Sequence, residues 1–125
     1  MAGDSFVHLH VHSEYSMLDG AAHIGPLIDA VRAEGMPGIA ITDHGNVFGA
    51  YDFWKAASAA GVKPIIGTEA YLTPGTNRAD HTRVRWGSGG GDDVSGSGAY
   101  THMTLLAETT EGMHNIFRLS SRSSL

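Results

Sequence analysis

Histidines alternate with aliphatic side chains near the start of the sequence, over residues 5–11. Phe6, His8, His10 and His12 fall on one face of this pattern, and the aliphatic residues fall on the other. A period of two residues predicts a β-strand. Such a strand would carry three histidines on one side, which is hard to explain as ordinary surface polarity.

The pattern that follows predicts three more strands and three helices. Short apolar runs predict strands at residues 38–42, 63–72 and 100–107. Apolar stripes at helical spacing predict helices at residues 25–34, 48–60 and 110–121. A long polar loop rich in glycine and serine, residues 73–99, separates the last two strands.

Alternation of strands and helices predicts an α/β fold with parallel strands joined by helical crossovers. The sheet could be open, or it could be part of a (β/α) barrel. In both architectures, functional side chains gather at the carboxyl ends of the strands.

Histidine and carboxylate side chains stand at those strand ends. His10 and His12 close the first strand, and side chains two residues apart on a strand point the same way, about 6–7 Å apart. The candidate ligands in this layout are His10, His12, Asp19, Asp43, His44, Glu69 and His102. Imidazole and carboxylate groups without thiolates suit Zn²⁺, Mn²⁺ or Fe at hydrolytic sites. Carboxylates that bridge two metals are used for attack on phosphate esters.

Each candidate also has a simpler interpretation. A single histidine at a strand end is usually a polar surface residue, and an aspartate beside a glycine, as at Asp19 and Gly20, is common in turns. His8 lies deeper on the strand and could support the ligands or belong to the core. Asp43 could orient a ligand histidine without binding metal.

Four other residues are predicted to lie away from the chemistry. His23 and His114 are interpreted as surface residues, and the aromatic residues Phe53 and Trp54 as core.

The composition favours a soluble globular domain. The 125 residues are 42% hydrophobic and 17% charged, and the lack of cysteine excludes disulfides and thiolate zinc sites within them. No signal peptide or membrane-spanning stretch is apparent, so we expect a cytoplasmic protein. The net charge of −5 disfavours non-specific binding to nucleic acid. Any nucleic-acid partner would have to be held by a local basic patch, by metal ions or by another part of the protein.

The predicted loop at residues 73–99 contains the basic and aromatic residues Arg78, His81, Arg83, Arg85 and Trp86. It could be a flap that meets a phosphate backbone. A solvated loop, with His81 at the surface, is the favoured interpretation, because two aspartates follow and cancel part of the charge.

Several segments together resemble the polymerase and histidinol phosphatase (PHP) family. Within that family, the resemblance is to the N-terminal part of the PHP domain of bacterial replicative DNA polymerase III α subunits, in an actinobacterial version. The segments that carry it are residues 6–20, 35–37, 41–46, 61–71, 92–98 and 100–107.

The resemblance implies a ligand set, an architecture and an activity. By position in the family motifs, the metal ligands are His10, His12, Asp19, His44, Glu69 and His102. His8 and Asp43 become supporting neighbours. The implied fold is a distorted (β/α)7 barrel that holds up to three divalent metals, Zn²⁺ and/or Mn²⁺. The implied activity of the domain is that of a 3′–5′ proofreading exonuclease.

The resemblance also implies a parent polymerase that binds a DNA primer–template, deoxynucleotides and replisome subunits such as the sliding clamp, with Mg²⁺ at a polymerase site outside this chain. Residues 1–125 would be the N-terminal portion of a PHP domain, because four predicted strands are too few to close the barrel. The family's other ligands would lie beyond Leu125. The chain alone is therefore expected to be inactive.

Two other functions use the same ligands. One is a stand-alone PHP phosphatase that acts on a small phosphomonoester such as histidinol phosphate. The other is a non-catalytic domain in which metal only braces the structure.

Overall fold

The computed structural model describes residues 5–72 and 101–125, which form three α-helices, a short 3-10 helix (Glu14–Ser16) and a three-stranded sheet. The α-helices are α1 (Ile24–Ala33), α2 (Ala50–Ala59) and α3 (Thr110–Ser123), and the strands are β1 (Gly38–Ile41), β2 (Lys63–Leu72) and β3 (Thr101–Leu106). The predicted α/β class is confirmed, and each α-helix begins and ends within two residues of its predicted bounds. None of the helices in the described ranges is long and apolar enough to cross a lipid bilayer.

The parallel part of the sheet is the pair β1 and β2, which run side by side from Gly38 opposite Lys63 to Ile41 opposite Ile66. Helix α2 connects them, as a parallel pair requires. The predicted helical crossover between parallel strands is therefore confirmed for this pair.

Strand β3 departs from the prediction that all strands are parallel. It pairs with β2 in the antiparallel direction, from Gly67 opposite Leu106 to Leu72 opposite Thr101. The last residue of β2 thus faces the first residue of β3, so the chain leaves and returns at the same place. Parallel strands need a crossover connection, usually a helix, whereas antiparallel strands do not. The sequence predicts no helix between β2 and β3, which agrees with their antiparallel pairing.

The predicted strand at residues 5–11 does not form as a regular strand. It runs beside β1 through a single parallel bridge between His8 and Ile39. The next hydrogen bonds skip a register position: Ala40 N–H donates to His8 O, but Thr42 N–H donates to Val11 O, each at 2.8 Å. Three residues on one side therefore match two on the other, as in a β-bulge, which changes where the following side chains point.

The core lies between the helices and the sheet. Ile28 and Val31 of α1 and Phe53 of α2 pack against β1, in which all four residues are buried. The core prediction for Phe53 is confirmed, since its side chain is fully buried. The prediction for Trp54 is wrong: its side chain is 51% exposed and its ring contacts Tyr51 instead. Adjacent residues on a helix point about 100° apart, so only one of these two aromatic side chains can face the core.

Candidate metal centre

The structure brings the six predicted ligands together at one edge of the sheet. Five separate stretches of chain contribute them, and the ligands are His10, His12, Asp19, His44, Glu69 and His102. His44 comes three residues beyond Ile41, the last paired residue of β1, and an isolated parallel bridge places it beside Glu69 of β2. Gly45, with φ of 62°, turns the chain away directly afterwards, and its N–H donates to Glu69 O at 2.9 Å.

Glu69 lies at the centre of the cluster and is almost completely buried. Its Oε2 is 2.5 Å from His10 Nε2 and 2.6 Å from His12 Nε2. Its Oε1 contacts His102 Nδ1 and lies 3.6 Å from His44 Nδ1. One carboxylate therefore faces four imidazoles.

Asp19 completes the other side of the cluster from an exposed loop. Its Oδ2 is 2.6 Å from His44 Nε2 and 3.4 Å from His12 Nδ1. His12 and His44 thus have one ring nitrogen directed at Asp19 and the other at Glu69.

The six predicted ligands form three groups of three, within which the potential ligand atoms all lie within 4.8 Å of one another. The groups are His10, His12 and Glu69; His12, Asp19 and His44; and His44, Glu69 and His102. Any two of these groups share one residue. Side chains that serve two adjacent ions are the arrangement found in multi-metal sites.

Two spacings in the cluster match a pair of ligand atoms on one cation. The contacts of Glu69 with His10 and His12, and of Asp19 with His44, are at hydrogen-bond distance. Two ligand atoms on a tetrahedral ion, each about 2.1 Å from it, lie about 3.4 Å apart. The Nε2 atoms of His10 and His12 are 3.2 Å apart, and His44 Nδ1 is 3.6 Å from Glu69 Oε1. His44 Nδ1 is buried and has no hydrogen bond within the described residues. A neutral imidazole has only one N–H to offer, so a cation would satisfy nitrogens that hydrogen bonds alone would not.

Comparison with known proteins assigns the family. A family model described as PHP domain matches residues 8–125, nearly the whole chain. The chain belongs to the PHP domain family. The resemblance seen in the sequence is confirmed.

The chain is similar to one part of much longer proteins. DNA polymerase III subunit alpha of Mycobacterium tuberculosis is 58% identical over 98% of this chain, that of Saccharopolyspora erythraea 53% over 100%, and that of Thermus aquaticus 47% over 96%. The chain spans about one tenth of the length of these relatives (10%, 11% and 9%). The resemblance to these α subunits is therefore also confirmed.

A solved structure also resembles this PHP domain. It is described as a metal-dependent phosphoesterase from Bifidobacterium adolescentis and superimposes with a TM-score of 0.50 at 28% identity. The match covers 54% of this chain and 23% of that one. The similarity agrees with the α/β fold described above.

The electrostatics of the PHP domain keep both carboxylates of the cluster ionised. Burial raises the pKa of Glu69, but hydrogen bonds from His10, His102 and His12 lower it by more, and the net pKa is about 2. The hydrogen bond between Asp19 and His44 lowers the pKa of Asp19 below its usual value. Ionised carboxylates are the form that binds metal.

A cavity of about 560 Å³ opens beside the cluster. Its lining includes the predicted ligands Asp19, His44 and His102 together with Tyr15, Met17, Leu18 and Tyr71. Sequence reasoning missed Tyr71, whose ring stacks on His44 at a centroid distance of 6.1 Å. The available signal was its position two residues after Glu69 on the same strand, which places both side chains on one face.

The two predicted supporting residues occupy different places. His8 is exposed, its ring meets Phe6 edge to face at 4.7 Å, and it lies outside the three groups. The bulge between His8 and Val11 interrupts the regular alternation from which His8 was placed beside His10 and His12. Asp43 is buried, and its carboxylate bonds to Ser13 and Ser16; among residues 5–72 and 101–125, no imidazole bonds to it.

The remaining sequence predictions concern the surface. His23 is exposed and pairs with Glu14 at 2.7 Å, and His114 is exposed on α3, as predicted. The predicted basic loop at residues 73–99, with Arg78, His81, Arg83, Arg85 and Trp86, lies outside the described residues.

Proposed function

We propose that this PHP domain is a multi-metal phosphoesterase centre within a replicative DNA polymerase III α subunit, where it removes mispaired nucleotides from the 3′ end of a primer. The observation that carries the proposal is the set of three overlapping ligand groups made only from imidazoles and carboxylates. The polymerase relatives, matched over 98% of the chain, and the metal-dependent phosphoesterase similarity support it.

Each ligand group would hold one divalent cation. Zn²⁺ and Mn²⁺ suit these nitrogen and oxygen donors, and up to three ions fit the three groups. When bound, such ions supply an activated water and stabilise the charge that develops on the scissile phosphate. Glu69 and the five other ligands set the spacing of the ions, and the low pKa of Glu69 keeps this carboxylate available at neutral pH.

The cavity beside the cluster is the proposed place for the terminal nucleotide. Asp19, His44 and His102 in its lining would face the phosphate. The lining also includes the half-exposed ring of Tyr71, and aromatic rings of this kind hold unpaired bases by stacking. The domain would therefore position a single-stranded 3′ end without reading its sequence.

The parent protein follows from the relatives' identity. We propose that residues 1–125 are the N-terminal portion of a longer PHP barrel, and that the polymerase site, with its own Mg²⁺, lies elsewhere in the polypeptide. Its partners would be a DNA primer–template, deoxynucleotides and replisome subunits such as the sliding clamp, and it would act in the cytoplasm. Since the chain carries a net charge of −5, those other segments and the metals would supply most of the attraction for DNA.

The test uses the intact polymerase and the variant His12→Ala. His12 belongs to two ligand groups, so we expect at least one ion fewer by elemental analysis and loss of hydrolysis of a 3′-mismatched primer. Extension of a matched primer should persist, since the polymerase site is separate. His114→Ala, an exposed histidine on α3, is the control and should change neither. Full metal content and full exonuclease activity in His12→Ala would refute the assignment.

A structural role for the metals is the second candidate. The ligands come from five separate stretches of chain, so bound ions would link these stretches as a brace. In that case, removal of metal would lower the melting temperature while purified wild type would show no exonuclease activity. A stand-alone phosphatase has less support, because the relatives cited above are polymerase subunits about ten times longer than the chain. It would require hydrolysis of a small phosphomonoester such as histidinol phosphate.

A further inference from the structure

Asp19 is the ligand with the least packing of its own. Its side chain is 68% exposed, and the two residues before it, Met17 and Leu18, are 82% and 103% exposed. Met17 also adopts a positive φ of 57°, which is unfavourable for a residue with a side chain. The exposed side chains of this loop therefore make too few contacts to hold Asp19 in place. Its position depends on the contacts that the loop makes with the buried residues beneath it.

Asp43 supplies that inner anchor. It is 1% exposed, and its carboxylate accepts three hydrogen bonds from the residues that precede the loop tip. Ser13 donates twice, from N–H to Oδ1 at 2.6 Å and from its hydroxyl to Oδ2 at 2.8 Å. The Ser16 hydroxyl donates to Oδ1 at 2.6 Å. A buried acceptor with this many donors is costly to remove, because each donor would be left without a partner.

Ser16 joins this anchor to two metal ligands. Its hydroxyl accepts a hydrogen bond from His44 N–H at 3.2 Å while it donates to Asp43. Its carbonyl accepts a hydrogen bond from Asp19 N–H at 3.2 Å. Asp19 and His44 are two of the three members of one ligand group, so a single serine connects the buried carboxylate to both.

Gly20 provides an independent sign that the loop is held tightly against the anchored residues. A Cβ atom at Gly20 would lie 1.8 Å from Ser13 O and 3.1 Å from Ser16 Cβ. The chain therefore passes directly over the backbone of Ser13, which Asp43 holds. Both ends of the loop that carries Asp19 thus meet the same anchored turn.

We infer that Asp43 is a positioning residue for one ligand group, the group of His12, Asp19 and His44, and that it sets the affinity of that group for its ion without binding metal itself. The inference rests on the proposed metal centre but not on the hydrolysis of any substrate. Residues of this kind, which act through a ligand, typically change metal affinity by about 10- to 100-fold.

The experiment compares the intact protein with Asp43→Asn, Ser16→Ala and a control, Ile28→Ala. Asparagine keeps the size of aspartate but replaces one acceptor oxygen with a nitrogen that cannot accept a hydrogen bond. Ser16→Ala is the milder change, because it removes only one of the three hydrogen bonds to Asp43. Ile28 is buried in α1, so its truncation lowers stability without touching the anchor. Stepwise dissociation constants for Zn²⁺ and Mn²⁺ are measured by competition with a chromophoric chelator. Amide exchange over residues 13–20 is measured without metal.

We expect Asp43→Asn and Ser16→Ala to weaken one dissociation constant by about 10- to 100-fold and the others by clearly less, because only His44 links the anchored group to the group of Glu69 and His102. Exchange over residues 13–20 should become faster in both variants but not in Ile28→Ala. Equal weakening of every constant, as general destabilisation in Ile28→Ala would produce, overturns the inference, and so do unchanged constants. A wild type that binds no metal would overturn the proposed function as well, so the two failures can be told apart.

Discussion

Replacing Glu69 with glutamine removes one negative charge from the centre of the metal cluster and leaves the size of the side chain almost unchanged. The carboxylate is 4% exposed, and it contacts His10, His12 and His102. A pKa of about 2, against an ordinary value of 4.5, corresponds to about 3 kcal/mol of favourable interaction in the metal-free domain. Because folding lowers this pKa, the contribution is fully present above about pH 4.5 and is lost as the pH falls towards about 2.

We therefore expect Glu69→Gln to lower the free energy of unfolding of the metal-free domain by about 3 kcal/mol at neutral pH. Two of the three ligand groups contain Glu69, so the variant should also lose two ions after reconstitution. Urea unfolding of the stripped domain measures the first effect, and elemental analysis measures the second. The matched control is Glu111→Gln, the same substitution at an exposed position in the first turn of α3. A Glu69→Gln variant with wild-type stability and a full set of ions would refute this reasoning.

Three further predictions concern the loop that carries Asp19, the hydrophobic core and the removal of metal. Gly20→Ala places a methyl group 1.8 Å from Ser13 O, so the loop must move; we expect about 1–3 kcal/mol lower stability by urea unfolding and the loss of one ion by elemental analysis. Phe53→Ala should lower the free energy of unfolding by about 3–5 kcal/mol, whereas Trp54→Ala should change it by about 0.5 kcal/mol or less; similar losses at both positions would contradict their different burial. Stripping metal with a chelator should reduce stability by about 2.7 kcal/mol for each ion present at 100 times its dissociation constant, measured as a lower melting temperature that re-addition of metal restores.

The ligand cluster could be predicted from the sequence because its signal is local. His44 follows a short apolar strand and Glu69 lies within the next one, and parallel strands bring such residues to the same edge of a sheet. The prediction needed only the strand positions and not the exact pairing. It therefore survived the reversed direction of β3, since His102 reaches Glu69 from an antiparallel strand.

The features that sequence reasoning missed depend on contacts between distant residues. The bulge that separates His8 from His10 arises from the bonding of residues 8–11 to Ala40 and Thr42, and alternation alone contains no sign of it. The role of Ser16 depends on the buried side chain of Asp43, which lies 27 residues away along the chain. Period and spacing reveal which residues share a face, but not which hydroxyl meets which carboxylate.

The sharing of residues among the three ligand groups has an evolutionary consequence. His12, His44 and Glu69 each belong to two groups, whereas His10, Asp19 and His102 each belong to one. A substitution at one of the three shared residues damages two groups at once. A substitution at one of the three unshared residues damages one group and leaves the other two complete. In lineages where selection on this centre relaxes, decay should therefore begin at His10, Asp19 or His102, and the three shared positions should be the last to drift.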